Sequence, residues 1–268
     1  MSHKLLIATA AVLSAVSAHA GISITTTTFT YSQDFNTLAT TGSTAWTNDV
    51  TLAGWSLFRS TGASLNPAAG TGSSNAGGFY SFGTANSTDR ALGSVASGGT
   101  STMSYVLSLT NNSGTALNSF TLRFDGEQWR TGGPTMANGV SVPSTEQFLK
   151  LEYGFGDSLA TAAWVSPGAG FDFHSPLFGV PASAVNGNVL AADGGGLVAN
   201  LGGTVATNWA SGSTLWIRWT DIDNAGNDHG LAIDNVRFSV TAVPEPSTYA
   251  MLLAGLGAVG FMARRRRG

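Results

Sequence analysis

Leu215-Trp216-Ile217-Arg218-Trp219-Thr220 sets large apolar side chains at every second position and places Trp216, Arg218 and Thr220 between them. A period of two belongs to a β-strand with one buried face, because successive side chains leave a strand on opposite sides. The same pattern returns twice. Phe120, Leu122 and Phe124 alternate with Thr121, Arg123 and Asp125, and Leu149, Leu151, Tyr153 and Phe155 alternate with Lys150, Glu152 and Gly154. Weaker strand candidates are Ile22 to Thr30, Trp55 to Arg59, Phe79 to Phe82, Met103 to Thr110 and Val236 to Val240. Turn signals such as Asn138-Gly139 and Asn186-Gly187 separate the strands, and no long amphipathic helix intervenes.

Composition agrees with an exported β-rich chain. Of 268 residues 43% are hydrophobic and 10% charged, with 35 Gly and no Cys. An average soluble domain is about 25% charged, so Ser, Thr, Asn and Gly must supply the polar surface. The absence of cysteine excludes disulfides, thiolate metal sites and thiol nucleophiles. About 220 residues of strands and long loops exceed an immunoglobulin-like module of ~100 residues. They predict an all-β body over residues 21–242, a single jelly-roll-like antiparallel β-sandwich, with two smaller β domains as the alternative.

Both ends read as addresses. Met1 to Lys4, an apolar stretch from Leu5 to Val16, and Ala18-His19-Ala20 form a secretory signal over residues 1–20, cleaved before Gly21. At the other end Val243-Pro244-Glu245-Pro246 precedes an apolar segment from Ser247 to Ala263, and Arg264, Arg265, Arg266 and Arg267 follow. As a helix this segment spans roughly 25 Å, slightly short of a ~30 Å hydrocarbon core, which suits a temporary anchor in the inner membrane. The arginines stay cytoplasmic, placing the body on the far side.

The order Pro244-Glu245-Pro246, short apolar helix and arginine cluster over residues 243–268 resembles the PEP-CTERM sorting signal of Gram-negative bacteria. The resemblance implies processing by an exosortase, with Pro244, Glu245 and Pro246 recognised by that enzyme, in organisms that build exopolysaccharide and biofilm. Such tails are also labelled an ice-binding protein C-terminal domain, although nothing in a sorting helix binds ice. Gly230 to Val240 looks like the last strand of jelly-roll modules, among them carbohydrate-binding modules and MAM-type domains, and supports the fold alone.

Removing Lys4 and the four terminal arginines from 12 basic residues, and Glu245 from 15 acidic ones, leaves 7 and 14, a body near −7. That balance argues against nucleic acid and against an anionic polysaccharide held by charge alone, and fits cations or neutral glycans better. Asp221, Asp223 and Asp228, with Asn224 and Asn227, offer the hard oxygen ligands of a Ca²⁺ loop, or form an Asx-rich turn. Ala225 and the missing terminal Glu depart from the EF-hand pattern.

Asp125 and Glu127 share a strand face beside Trp129 and are the candidate acid pair of a glycoside hydrolase. Jelly-roll β-glucanases place their acids in E-x-D-x-x-E, whose first and last Glu this chain lacks. The alternative is ion pairing of these acids with Arg123 or Arg130. Trp219 reads as core, whereas Trp216 and Trp129 are candidate sugar platforms. The body holds His174 and His229 only and no Gly-x-Ser-x-Gly elbow, which leaves a hydrolase triad little support. The expectation is an exported cell-envelope or extracellular-matrix protein, non-catalytic, that binds glycan or serves a structural role, with a secreted polysaccharide-degrading enzyme as the competitor.

Overall fold

The computed structural model describes residues 21–241, together with 253–256, 262 and 265. The strands in chain order are β1 (Ile22–Ile24), β2 (Thr28–Gln33), β3 (Trp55–Arg59), β4 (Ala68–Gly70), β5 (Gly78–Phe82), β6 (Ala91–Val95), β7 (Met103–Asn111), β8 (Leu117–Thr131), β9 (Thr135–Ala137), β10 (Val140–Val142), β11 (Phe148–Phe155), β12 (Phe173–His174), β13 (Ser183–Ala184), β14 (Leu197–Trp209), β15 (Thr214–Asp221) and β16 (Gly230–Thr241). They form an all-β, jelly-roll-like sandwich. One sheet runs β1-β7-β15-β11-β12 with β3 also on β7; the other runs β13-β8-β16-β6-β5-β4, with β14 on β8 and β2 on β16. Pairing is antiparallel except between β1 and β7 and between β4 and β5. Asn138 and Gly139, both at positive φ, close the separate β9–β10 hairpin as the Asn-Gly signal requires.

The alternating apolar sets meet between the sheets. Phe120, Leu122 and Phe124 of β8 and Leu231, Ile233 and Phe238 of β16 share one buried cluster with Leu107 and Leu109 of β7 and Leu215, Ile217 and Trp219 of β15. Trp219 stacks on Trp55 at 5.7 Å and meets Phe124 edge-on at 5.5 Å, so the rings interlock across the sandwich. Burying each such side chain contributes roughly 1.5–3 kcal/mol.

A second, smaller core lies on the outer face of the other sheet. Ala232 alternates with inward Leu231 and Ile233, and it joins Tyr80, Phe82, Ala91, Val95 and Trp129 in a separate cluster. Tyr80 stacks on Phe82 at 4.8 Å, and Phe82 on Trp129 at 6.0 Å with their planes 4° apart. Gly72, at φ +82°, closes over this patch, where any Cβ would collide with the Trp129 carbonyl.

The signal segment 1–20 lies outside the described residues, as do Pro244, Glu245, Pro246, Arg264, Arg266, Arg267 and most of the expected membrane span. Leu253 to Leu256, Met262 and Arg265 are helical and exposed. Among the described residues no helix is long and apolar enough to cross a membrane.

Candidate functional site

At one end of the sandwich, the turn after β6, the end of β8 and the Asp221–His229 loop enclose a polar cleft of about 230 Å³. Ser97, Asn75, Arg130, Asp223, Asn227 and Asp228 line it. Arg130 lies opposite Gly230 of β16, and its Nη1 donates to the Gly72 and Ser73 carbonyls, both at 3.2 Å. The buried Arg130 Nε makes no hydrogen bond among the described residues.

His229 fixes the loop. Fully buried, it accepts at Nδ1 from the Gly132 N–H at 3.0 Å and donates from Nε2 to the Thr145 carbonyl at 3.1 Å, which assigns its neutral tautomer. Its own N–H donates to Gln147 Oε1 at 2.7 Å. Burial pushes its pKa below the ordinary value, in keeping with a neutral anchor.

The three candidate calcium ligands are divided between different surroundings. Asp221 continues the inward parity of Leu215, Ile217 and Trp219, is 1% exposed, and accepts a hydrogen bond from Ser94 of the facing sheet. Ser94 also meets Tyr105, whose hydroxyl donates to the Leu231 carbonyl. Burial pushes the Asp221 carboxyl up to about 8, the Ser94 bond opposes the rise, and Asp228 and Asp223 add to it. Asp228 Oδ1 accepts from the Asn224 N–H at 2.9 Å, and its pKa rises to about 7, first through burial and then through Asp223 beside it. Asp223 is exposed at the cleft. Among the described residues no group of three or more His, Asp or Glu side chains is placed to hold a metal ion. The calcium expectation is corrected accordingly: strand parity turns Asp221 into the interior, and the loop caps itself as an Asx-rich turn.

Asp125 and Glu127 do share the outer face of β8, but not across a groove. Asp125 accepts from the Asn200 N–H at 2.7 Å and from Asn235 Nδ2 at 3.0 Å. Glu127 is 3% exposed and accepts from Trp129 Nε1 at 2.7 Å. Burial raises the Glu127 pKa well above the carboxylate range, and nearby Asp234 raises it further. Among the described residues neither acid forms an ion pair, so the expected partnership with Arg123 or Arg130 is replaced by amide and indole donors.

Both candidate platforms are corrected as well. Trp129 is 1% exposed, with Gly187 against its indole edge and its ring in the outer aromatic stack. Trp216 does lie on the face opposite Trp219, yet it too is 1% exposed. The loop after β11 folds back over it, packing Leu159, Ala162 and Trp164 around the ring, and Trp216 Nε1 donates to the Gly156 carbonyl at 2.8 Å. The partly exposed indole is Trp164, covered by the Arg218 guanidinium at 3.9 Å from the ring centre. His174 pairs with Glu146 at the surface, away from the cleft lining. Arg130, Asn75 and Ser97 were not legible as site residues, because the end of β8 and two loops distant in sequence bring them together.

An all-β sandwich with a polar end cleft defines a fold class and assigns no activity. The end of the chain is more specific: residues 242–267 match the PEP-CTERM protein-sorting motif. The match supports an exported protein with an exosortase as its processing partner. No curated protein matches the chain.

Proposed function

We propose that the protein is an extracellular-matrix or cell-envelope component whose β-sandwich binds glycan without cleaving it. In this reading the residue 247–263 segment holds it transiently in the inner membrane before an exosortase releases or transfers it. The match of residues 242–267 to the sorting motif carries the export and processing part of the proposal. The polar cleft supports the glycan part. Its lining combines a guanidinium, two carboxyls, two amides and a serine hydroxyl, a mixed donor and acceptor set suited to sugar hydroxyls.

Replacing Pro244, Glu245 and Pro246 together by alanine is expected to leave export intact and to trap the protein as an unprocessed, membrane-bound form. Fractionation followed by intact-mass measurement reads the outcome, and processing indistinguishable from wild type would remove the tail from the account.

One observation favours a polysaccharide-cleaving enzyme as the second reading. Asp228, its pKa raised to about 7 by burial and by Asp223 beside it, lines an open cleft, an arrangement capable of proton transfer. Asp125 and Glu127 give this reading no support, being occupied by structural partners.

A further inference from the structure

A trough on the outer face of the larger sheet, separate from the end cleft, carries a charge arrangement unusual for a body near −7. Arg237 of β16 is the direct register partner of Arg123 of β8, and both point outward because Leu122, Phe124, Val236 and Phe238 point in. Like charges opposite each other on one sheet face destabilise it unless a counter-charge intervenes. Among the described residues neither arginine forms an ion pair.

The two differ in how they are held. Arg123 is fixed, its Nη1 donating to the Asn200 carbonyl at 3.2 Å and the Gly202 carbonyl at 2.8 Å. Those carbonyls belong to a bulge of β14 where Gly202 takes φ +101°, and a Cβ there would strike the Leu122 carbonyl. Arg237 is exposed and, alone among the body's basic residues, has no hydrogen-bond or ion-pair partner among the described residues. No nearby acid pairs directly with either arginine among the described residues, although exposed Asp34 shares the Arg237 depression. Asp125 spends both oxygens on Asn200 and Asn235, and the Asp234 carboxyl, pushed up to about 8 by burial, stays protonated at neutral pH.

Space is available above the pair. A depression of about 370 Å³ is lined by Thr30, Ser32, Thr121, Arg123, Arg237 and Ser239, among others. A second, of about 310 Å³, shares Ser32 and Arg237 with it and ends at Asp34 and Asn235. The trough thus places the two guanidinium groups at its middle, with the hydroxyls of Thr30, Thr121 and Ser239 on one side and Asp34 on the other.

We propose that the Arg123–Arg237 pair anchors the carboxylate of an acidic sugar residue in a polysaccharide, with the Ser and Thr hydroxyls taking neighbouring sugar hydroxyls. One carboxylate bridging two guanidinium groups relieves their repulsion and gains charge-assisted hydrogen bonds. The inference rests on the glycan-binding reading for the bearer of the carboxylate and adds the chemical class of the glycan. It also refines the charge argument, since a local arginine pair selects a carboxylate that the net charge of the body repels.

The test is retention of the full chain, in detergent, on immobilised polygalacturonate and on immobilised dextran. Wild type is expected to prefer polygalacturonate, with binding weakened by salt. Arg237→Gln is expected to lower that affinity about tenfold, the scale of one charge-assisted contact. Because Arg237 has no partner in the fold and faces Arg123, the melting temperature of Arg237→Gln should be no lower than that of wild type. Arg123→Gln should lose binding to a similar extent. Equal retention of wild type and Arg237→Gln, or equal retention on both supports, would overturn the arginine pair and leave glycan binding standing. Arg237-dependent retention on polygalacturonate without retention of the producing strain's own polysaccharide would support the anion site and count against the matrix reading.

Discussion

Raising the pH from 6.5 to 9 is expected to lower the melting temperature by several degrees, because four carboxyls are held protonated by the fold. Asp221 and Asp234 are pushed up to about 8 and Asp228 to about 7, in each case mainly by burial, and Glu127 also lies well above its ordinary value. In the unfolded chain such groups titrate near pH 4. Between about pH 4 and pH 8 the native state therefore holds protons that the unfolded chain has released, and rising pH favours unfolding. The stability they contribute is complete below the unfolded values and lost as pH passes through the folded ones. One unit of raised pKa corresponds to about 1.4 kcal/mol, so a single buried carboxyl of this kind is worth a few kcal/mol across the window.

Two groups act in the opposite direction at lower pH. His229, its pKa lowered by burial, costs stability below about pH 6.5, where the unfolded chain takes up a proton. Glu152 is raised by burial but lowered on balance by Lys150 and Arg218, so its ion pairs weaken as pH falls through the carboxylate range. Above pH 6.5 the four raised carboxyls act unopposed by these two. Asp234→Asn should flatten the slope and stabilise the protein at pH 9, since Asp234 Oδ1 is buried with no hydrogen-bond partner among the described residues. Thermal melts that stay level or rise from pH 6.5 to 9 would contradict this electrostatic description.

Trp129→Ala is expected to destabilise the protein by about 3–5 kcal/mol, the range for emptying a buried aromatic site. The substitution removes one end of the Tyr80–Phe82–Trp129 stack and strips Glu127 of its indole donor. Trp129→Phe separates the two effects: the ring remains, the bond to Glu127 is lost, and about 1–3 kcal/mol follows from the unsatisfied acid. Urea unfolding measures both variants. If Trp129 were instead an exposed sugar platform, the alanine variant would lose glycan affinity and keep its stability.

The sandwich was legible wherever strands bury one face only. Phe120 to Asp125, Leu149 to Phe155 and Leu215 to Thr220 fall within β8, β11 and β15. Ala91–Val95 escaped because all five residues are buried and small ones break the alternation. Leu197–Trp209 escaped because its glycines and bulges disguise an edge strand. The site was less legible, and for two different reasons. Asp221 could have been placed from parity alone, as it stands two residues beyond Trp219; the acid-rich composition of the loop drew attention instead. Trp216 could not, because alternation assigns a side chain to one face of a sheet and says nothing of a later loop folding over that face. The Arg123–Arg237 pair depends on register between strands more than a hundred residues apart in sequence, and so on long-range pairing no local pattern encodes.

The proposal as a whole stands on whether the exported body holds glycan without cutting it. The direct measurement is co-sedimentation of the mature protein with exopolysaccharide from the producing strain, with polysaccharide size followed over hours. Retention at unchanged polysaccharide size is the result expected, with Asp223→Ala weakening retention if the end cleft contributes to the contact. Shortening of the polysaccharide would contradict the non-catalytic reading and make Asp223 and Asp228 the first residues to replace, while absence of retention would contradict glycan binding itself.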